Sequence, residues 1–219
     1  MKQTFIASLI LMMGASLAPQ NSIASGPATL ITNGGFEIPT VIGGDQEFGA
    51  PSRVIESWQV SAGSIDLVAS GSILGSAHSG LQMIDINGSR AGTIQQSFNT
   101  VPGKNYRLEL FYSNNPNPAF ALPSYSASIG LVGTTQLLSA LVTHAGATEL
   151  EMNWQRFAHS FTADSVTTTL VLSSAQGGFN GIYFDTVSVI PEPVTMGMLA
   201  PLGIAFACRS SRRLGRPQV

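Results

Sequence analysis

Cysteine is nearly absent from this chain: the one thiol among its 219 residues is Cys208. A single cysteine excludes an intrachain disulfide, and no spacing of cysteines and histidines typical of a zinc site is present. A fold without disulfides has to be stabilised by its hydrophobic core, with or without the help of a bound metal ion.

Charged residues are also scarce, at 10% of the chain, against about 25% in ordinary globular proteins. Within residues 25–190, eleven acidic side chains outnumber five basic ones. An acidic segment of this kind argues against nucleic acid as a partner, because binding to phosphate depends on basic contacts. The abundant Gly, Ser, Thr, Asn and Gln favour strands and turns over helices.

No stretch between residues 28 and 190 has a convincing helical period, whereas alternation of apolar and polar residues recurs. From Tyr106 to Tyr112, apolar side chains alternate with Arg107 and Glu109, as in an antiparallel strand with one buried face. We predict an all-β fold, an antiparallel β-sandwich or jelly roll of about ten short strands. The predicted strands are a short one at 28–32 and then 54–60, 64–69, 81–86, 92–98, 105–112, 124–132, 135–142, 154–161, 166–173 and 181–189, with loops at 39–52, 113–120 and 143–153. The pattern at 135–142 leaves helix and strand open.

Both ends of the chain carry apolar segments. Residues 1–24 have a positive start, an apolar run and small residues at the end, as in a secretory signal peptide; an uncleaved anchor is the alternative. Residues 194–208 are almost wholly apolar and precede a group of arginines, but this run is shorter than the roughly twenty residues of a typical membrane span. We therefore divide the chain into a signal peptide (1–24), one domain (25–190) and a tail (191–219), with a short helix predicted at each end.

Carbohydrate binding needs aromatic rings and side chains that pair with sugar hydroxyls. The region around the asparagine-rich loop 113–120 offers both, and we predict ligand contacts from two tyrosines and two asparagines, Tyr112, Asn114, Asn115 and Tyr125. Trp58 and Trp154 lie within strand patterns, so we expect them to pack in the core.

Sequence motifs of hydrolases are missing. Neither Gly-x-Ser-x-Gly nor His-Glu-x-x-His occurs, and no pair of acids stands out for glycoside hydrolysis. Asp85, Asn87 and Gly88 form an acidic pattern, which we interpret as a turn with local side chain to backbone hydrogen bonds. We predict a protein that is not an enzyme, with a hydrolase as the alternative.

The tail has a specific pattern: Pro191-Glu192-Pro193 directly precedes the apolar run and the terminal arginines. This arrangement resembles the PEP-CTERM sorting signal of exopolysaccharide-producing Gram-negative bacteria. The resemblance implies export through the inner membrane, transient insertion of the tail and cleavage near Pro-Glu-Pro by an exosortase-type enzyme. The final location would be the cell surface, the outer envelope or the extracellular matrix. The implied sorting residues are Pro191, Glu192, Pro193, Arg209, Arg212 and Arg213.

The domain contains an ordered set of short segments at 33–37 (NGGFE), 58–68, 78–88 (HSGLQMIDING), 92–98, 102–106 and 181–189 (GIYFDTVSV). Their order resembles the choice-of-anchor C family of galactose-binding-like β-sandwiches. In such modules a structural calcium ion commonly ties the first strand to the last. The matching positions here are Glu37 and Asp185, with the backbone carbonyl of Asn33, and calcium prefers such oxygen ligands. Family members usually carry two adjacent acids in the closing strand, whereas here Thr186 follows Asp185.

The residues and the two resemblances together predict a secreted or surface-sorted, non-catalytic β-sandwich of the bacterial envelope or exopolysaccharide matrix, with polysaccharide as its ligand. The alternative from another class is a structural or adhesive envelope protein that has no sugar site. A polysaccharide-active enzyme is the third reading.

Overall fold

The computed structural model describes residues 28–71 and 74–193, and eleven strands account for about half of this part of the chain. The one helical element found there is a 3-10 turn at Pro118–Phe120, too short to cross a membrane. The helices predicted at the two ends lie outside the described residues. The strands are β1 (Asp45–Gly49), β2 (Gln59–Ala62), β3 (Ser64–Ala69), β4 (Gln82–Asp85), β5 (Thr93–Asn99), β6 (Asn105–Asn114), β7 (Tyr125–Val132), β8 (Gln136–His144), β9 (Gln155–Thr162), β10 (Thr167–Ser174) and β11 (Ile182–Pro191).

The strands form two antiparallel sheets, one of six strands in the order β1-β3-β4-β11-β6-β9 and one of five in the order β2-β5-β10-β7-β8. Apolar side chains from both sheets meet in one core, in which Ile84 and Phe184 of the first sheet and Ile94 and Leu170 of the second are fully buried. This confirms the predicted all-β, antiparallel sandwich.

Alternation in the sequence accounts for the strands that bury one face. In β6, Leu108 and Leu110 are fully buried, while Arg107 and Glu109, which alternate with them, are partly exposed. The segment left open between helix and strand becomes β8, which extends through His144 and so shortens the loop predicted to begin at residue 143.

The strand predicted at 28–32 is wrong, because the chain there is irregular. Residues 30–34 do run beside the second half of β11, with hydrogen bonds from Leu30 N to Val189 O (2.7 Å) and from Val187 N to Gly34 O (2.8 Å). Asn33 and Phe36 have positive φ angles of 51° and 58°. These left-handed residues turn the chain away before a regular ladder can form.

Two further boundaries differ from the prediction. Of the segment 54–60, only Gln59 and Val60 belong to a strand, because Ser57 has a φ of 64° and a turn joins Trp58 N to Ile55 O. The predicted loop 39–52 contains β1, an edge strand in which Phe48 is the one buried residue. A polar edge strand with one buried side chain lacks the alternation of apolar and polar residues from which a strand is predicted.

A second, smaller apolar cluster covers part of the outer face of the six-stranded sheet. Val68, Met83, Met152 and Tyr183 form it, and the partly buried Trp154 packs against it. Trp58 instead lies in the main core with 1% of its surface exposed. The expected core packing is therefore confirmed for Trp58, whereas Trp154 packs on the outer face of the sheet.

Candidate functional site

Strand register places a row of polar side chains across the outer face of the six-stranded sheet. Glu47 of β1 lies opposite Asp66 of β3, Asp66 opposite Asp85 of β4, and Asp85 opposite Tyr183 of β11. The residues between them in each strand, such as Phe48, Leu67 and Ile84, point into the main core, so this row points outward. With Asp45 these side chains line a cleft of about 320 Å³, here called the acidic cleft.

Loops close the cleft around Asp85, whose side chain is fully buried. Its carboxylate accepts hydrogen bonds from Asn87 N (2.9 Å), from Asn115 Nδ2 (2.8 Å) and from Gly181 N (3.3 Å). Asn180 Nδ2 in turn donates to the carbonyl of Asn117 (3.1 Å). Asp85 therefore joins the turn after β4 to the loops before β7 and before β11, and the bond to Asn87 confirms the local turn predicted there.

Gly181 makes this close approach possible. A Cβ atom at that position would lie 2.4 Å from Asn87 Oδ1 and 2.7 Å from Asp85 Oδ1, well inside contact distance. The absence of a side chain thus lets backbone come next to the buried carboxylate.

Burial and mutual repulsion disturb the titration of the acids in the cleft. Burial, followed by repulsion from Asp45 and Glu47, raises the pKa of Asp66 to about 7, and burial raises that of Asp85 well above its usual value. Hydrogen bonds from Ser64 and Ser89 lower the pKa of Glu47 to about 2. The cleft therefore pairs an ionised acid at its mouth with two interior acids that resist ionisation.

Two polar atoms at the cleft are buried without a hydrogen-bond partner among the described residues, the hydroxyl of Tyr183 and Oδ1 of Asn87. Tyr183 is fully buried and lines the cleft. Buried polar atoms are almost always paired in folded proteins, so an unpaired hydroxyl on a residue that lines a cleft is a feature that a ligand could satisfy after a small local shift.

The four residues predicted to contact sugar do not converge on one surface. Asn115 lines the acidic cleft, whereas Tyr112 donates its hydroxyl to Gln155 Oε1 (2.7 Å). Asn114 is buried and its Oδ1 lies 2.8 Å from the ring of His144. Tyr125 is also buried, and its hydroxyl accepts from Leu122 N (3.0 Å). Ligand contacts from these residues stay a prediction.

The two predicted calcium ligands do come together, at the other end of the outer face. A Cβ atom on Gly35 would lie 3.9 Å from both Asp185 Oδ1 and Glu37 Oε1. Glu37 Oε1 accepts from Leu81 N and Asp185 Oδ2 from Ser79 N, both at 2.9 Å. Burial, with a smaller contribution from the charge of Glu37, raises the pKa of Asp185 to about 7.

The donor set at this place fits calcium only in part. Two carboxylates of which one is buried and repelled would gain from a cation, but the carbonyl of Asn33 already accepts from Trp58 Nε1 and Phe36 N, each at 3.0 Å. Three or more Asp, Glu, His or Cys side chains do not converge at metal-binding distance anywhere in 28–71 or 74–193. Calcium here stays a prediction.

The sorting motif is described only at its start. Pro191 ends β11, and Glu192 N donates to the carbonyl of Asn105 (2.9 Å), so the first two motif residues continue the sheet. Arg209, Arg212 and Arg213, the apolar run and the signal peptide lie outside the described residues.

Most residues of the acidic cleft lie in segments whose local sequence pattern does not mark them as part of a site. Asp45 and Glu47 lie in the strand that was predicted as loop, and Phe179, Asn180 and Tyr183 belong to segments assigned to a turn and a core strand. The available signal was the alternation in β3, β4 and β11, which places Asp66, Asp85 and Tyr183 on the face opposite the core. Which strands are neighbours, and in which register, is a long-range property.

Several solved structures match the chain at low similarity. They include TmCBM61 in complex with β-1,4-galactotriose (13% identity, TM-score 0.48, 75% of this chain and 99% of that one). A CBM4 structure (16% identity, TM-score 0.43, 74% and 99%) and the xylan-binding domain from CBM 22 (14% identity, TM-score 0.43, 79% and 97%) also match.

Among curated proteins, halomucin from Haloquadratum walsbyi is 27% identical over 203 residues, a match that spans 90% of this chain and 2% of halomucin. A family model described as "Protein of unknown function (DUF642)" matches residues 29–187. That match covers the outer-face row and both sheets, and the chain belongs to the DUF642 family.

Proposed function

We propose that this chain is an exported, non-catalytic β-sandwich that binds carbohydrate of the bacterial envelope or exopolysaccharide matrix in the acidic cleft. The observation that carries the proposal is the chemistry of the lining, which combines carboxylates, the amides of Asn115, Asn117 and Asn180 and the Tyr183 hydroxyl. Sugar hydroxyls both donate and accept, so a lining with both kinds of group suits them. Phe179, 54% exposed at the rim, adds an aromatic surface.

Binding without catalysis is supported by how the polar groups are held. Three donors fix the carboxylate of Asp85, and the two ring nitrogens of His144 lie within hydrogen-bond distance of Asn114 and Asn153. Groups committed to internal bonds of this kind position a ligand rather than transfer protons to it.

A glycan array tests the proposed function. The full-length chain is expected to bind at least one class of glycan, and Asp66→Ala is expected to weaken that binding about tenfold or more, because a hydrogen-bonding carboxyl group of the cleft is lost. Glu56→Ala, which removes an exposed acid outside the cleft, is the matched control and should bind as the wild type does.

Two outcomes would contradict carbohydrate binding in the acidic cleft. Absence of binding to every glycan favours the structural or adhesive envelope protein instead. Binding that survives Asp66→Ala but is lost in Tyr112→Phe places the sugar at the tyrosine of β6 rather than in the cleft.

We further propose that residues 1–24 direct export and that an exosortase-type enzyme cuts near Pro-Glu-Pro after transient insertion of the tail in the inner membrane, which removes the apolar run and the arginines. The support is the order of Pro-Glu-Pro, apolar run and arginines in the sequence. Intact-mass analysis of the protein secreted by its native host tests this. The mature chain is expected to begin near Ser25 and to lack Arg212 and Arg213; a mass that includes them refutes removal of the tail.

Calcium at Glu37 and Asp185 is proposed as a structural ion. Its removal with a chelator is expected to lower the melting temperature by several degrees, because a ligand that binds only the folded state stabilises it. Asp185→Asn should abolish this response to the chelator. An unchanged melting temperature of the wild type contradicts the calcium site.

A further inference from the structure

The acidic cleft is lined by several acidic side chains and, among the described residues, by no basic one. Four carboxylates line it, those of Asp45, Glu47, Asp66 and Asp85, and Lys, Arg and His are absent from its described lining. Arg90, which acts electrostatically on Glu47, is an exposed residue outside the lining. A ligand that brings a positive charge relieves the repulsion among these groups, whereas an acidic ligand adds to it.

The unpaired hydroxyl of Tyr183 favours a ligand that carries a hydrogen-bonding oxygen over a bare cation. Tyr183 is fully buried and lines the cleft. Burial, followed by the charges of Asp85 and Asp66, raises its pKa well above the usual value. A phenol is a hydrogen-bond donor as well as an acceptor, so its natural partner is a ligand oxygen such as a sugar hydroxyl. The lining acids do not converge as a cluster of metal ligands within the described residues.

We propose that the acidic cleft recognises a glycan with free amino groups, whose ammonium lies among Asp45, Glu47 and Asp66 and whose hydroxyls pair with Tyr183. The proposal rests on carbohydrate binding in this cleft and narrows it to one class of sugar. An N-acetylated sugar presents a neutral amide in place of the ammonium, so it forms no ion pair with these acids.

Calorimetric titration with two oligosaccharides of equal length tests the proposal. The probes are a hexamer of glucosamine and a hexamer of N-acetylglucosamine, each titrated into the full-length chain at neutral pH and at low and high salt. The glucosamine hexamer is expected to bind about tenfold tighter or more. This advantage should shrink as salt is added, since ionic strength screens charge pairs at the cleft mouth.

Three variants test which side chains recognise the ammonium and the hydroxyls of the glycan. Asp66→Asn keeps the shape of the side chain but removes its charge, and should reduce the preference for the free amine. Tyr183→Phe should weaken binding of the glucosamine hexamer while leaving the salt dependence in place, because only the hydroxyl is lost. Glu56→Gln removes one negative charge outside the cleft and should change neither property.

Binding should also depend on pH through Asp66. The groups that surround this carboxyl are Asp45 and Glu47 on β1, Asp85 on β4, Tyr183 on β11 and, farther out, Arg90. Protonation of Asp66 below about pH 7 removes one partner of the ammonium, so the loss of affinity caused by Asp66→Asn should become smaller as the pH is lowered from 7 to about 5.

The possible results separate this inference from the proposed function. Equal affinity for the two hexamers, lost in Asp66→Ala, overturns the amino-sugar preference and leaves carbohydrate binding intact. Equal affinity for spermidine and for the glucosamine hexamer would show that the cleft recognises only the positive charge of the ligand. That result overturns the role of Tyr183. Binding to neither hexamer, together with binding to another glycan on the array, also rejects the inference alone. Failure to bind any glycan rejects both.

Discussion

At the scale of single residues, the buried carboxylate of Asp85 depends on the small size of Gly181. Gly181→Ala is expected to destabilise the fold by about 1–3 kcal/mol, because the new Cβ atom would overlap Asn87 Oδ1 and Asp85 Oδ1. Gly177→Ala is the matched control, since a Cβ there meets nothing within 4 Å. Chemical denaturation measures both. Equal stability of the two variants contradicts the tight approach at residue 181.

Removal of the Tyr183 hydroxyl should affect the stability of the fold and the binding of ligand differently. This buried hydroxyl has no partner in the described residues, and an unsatisfied buried group costs about 1–3 kcal/mol. Tyr183→Phe is therefore expected to leave the free energy of unfolding unchanged or to raise it by about 1 kcal/mol, while ligand binding weakens. A variant that unfolds more easily would indicate that the hydroxyl has a structural bond in the free protein.

At the scale of elements, β1 is the least anchored strand of the cleft wall. It pairs with β3 alone and buries one side chain, Phe48, whereas β11 pairs with both β4 and β6. Hydrogen exchange should therefore be faster in Asp45–Gly49 than in Ile182–Pro191. Addition of a bound glycan should slow exchange in β1 because Asp45 and Glu47 line the cleft. Equal protection of the two strands contradicts this assignment.

Elements with a two-residue period could be predicted from the sequence, and elements without it could not. β6 and β10 alternate regularly, so their existence and their buried faces follow from the pattern. β1 has polar residues on its outer face and glycines nearby, and therefore looks like loop. The segment 28–32 has the composition of a strand, but the left-handed residues Asn33 and Phe36 prevent one.

The same limit applies to the candidate site. Alternation alone places Asp66 and Asp85 on an outward face, but the order β1-β3-β4-β11 that aligns them with Glu47 and Tyr183 is set by long-range pairing. Glu37 and Asp185 were predicted as a pair from a family resemblance, because no local sequence pattern links them. Asn115 was the one predicted sugar residue that the loops carry to the cleft.

At the scale of the whole molecule, stability should rise as the pH falls from about 8 to about 5. The pKa values of Asp66 and Asp185 are raised from 3.8 to about 7 in the folded state. The folded protein thus binds more protons than the unfolded chain over this range, so its stability is lost as the pH rises through 7. Below about pH 4 the trend reverses, because Glu47, Glu109 and Asp164 have lowered pKa values.

Melting temperatures measured across this range in the presence of a chelator test the pH dependence. The maximum is expected near pH 5, several degrees above the value at pH 8. Asp66→Asn should flatten the slope between the two, because the substituted side chain does not titrate. A melting temperature that increases steadily from pH 5 to pH 8 contradicts the raised pKa values.

Carbohydrate binding in the acidic cleft is tested most directly by an NMR titration of the isotope-labelled chain with the glycan that binds best. Amide shifts are expected to change at 45–47, 85–89, 115–117 and 179–183, the strands and loops that line the cleft. Little change is expected in Ser128 and Ser139, on the outer face of the five-stranded sheet. Shifts confined to that sheet, or none at saturating glycan, would contradict it.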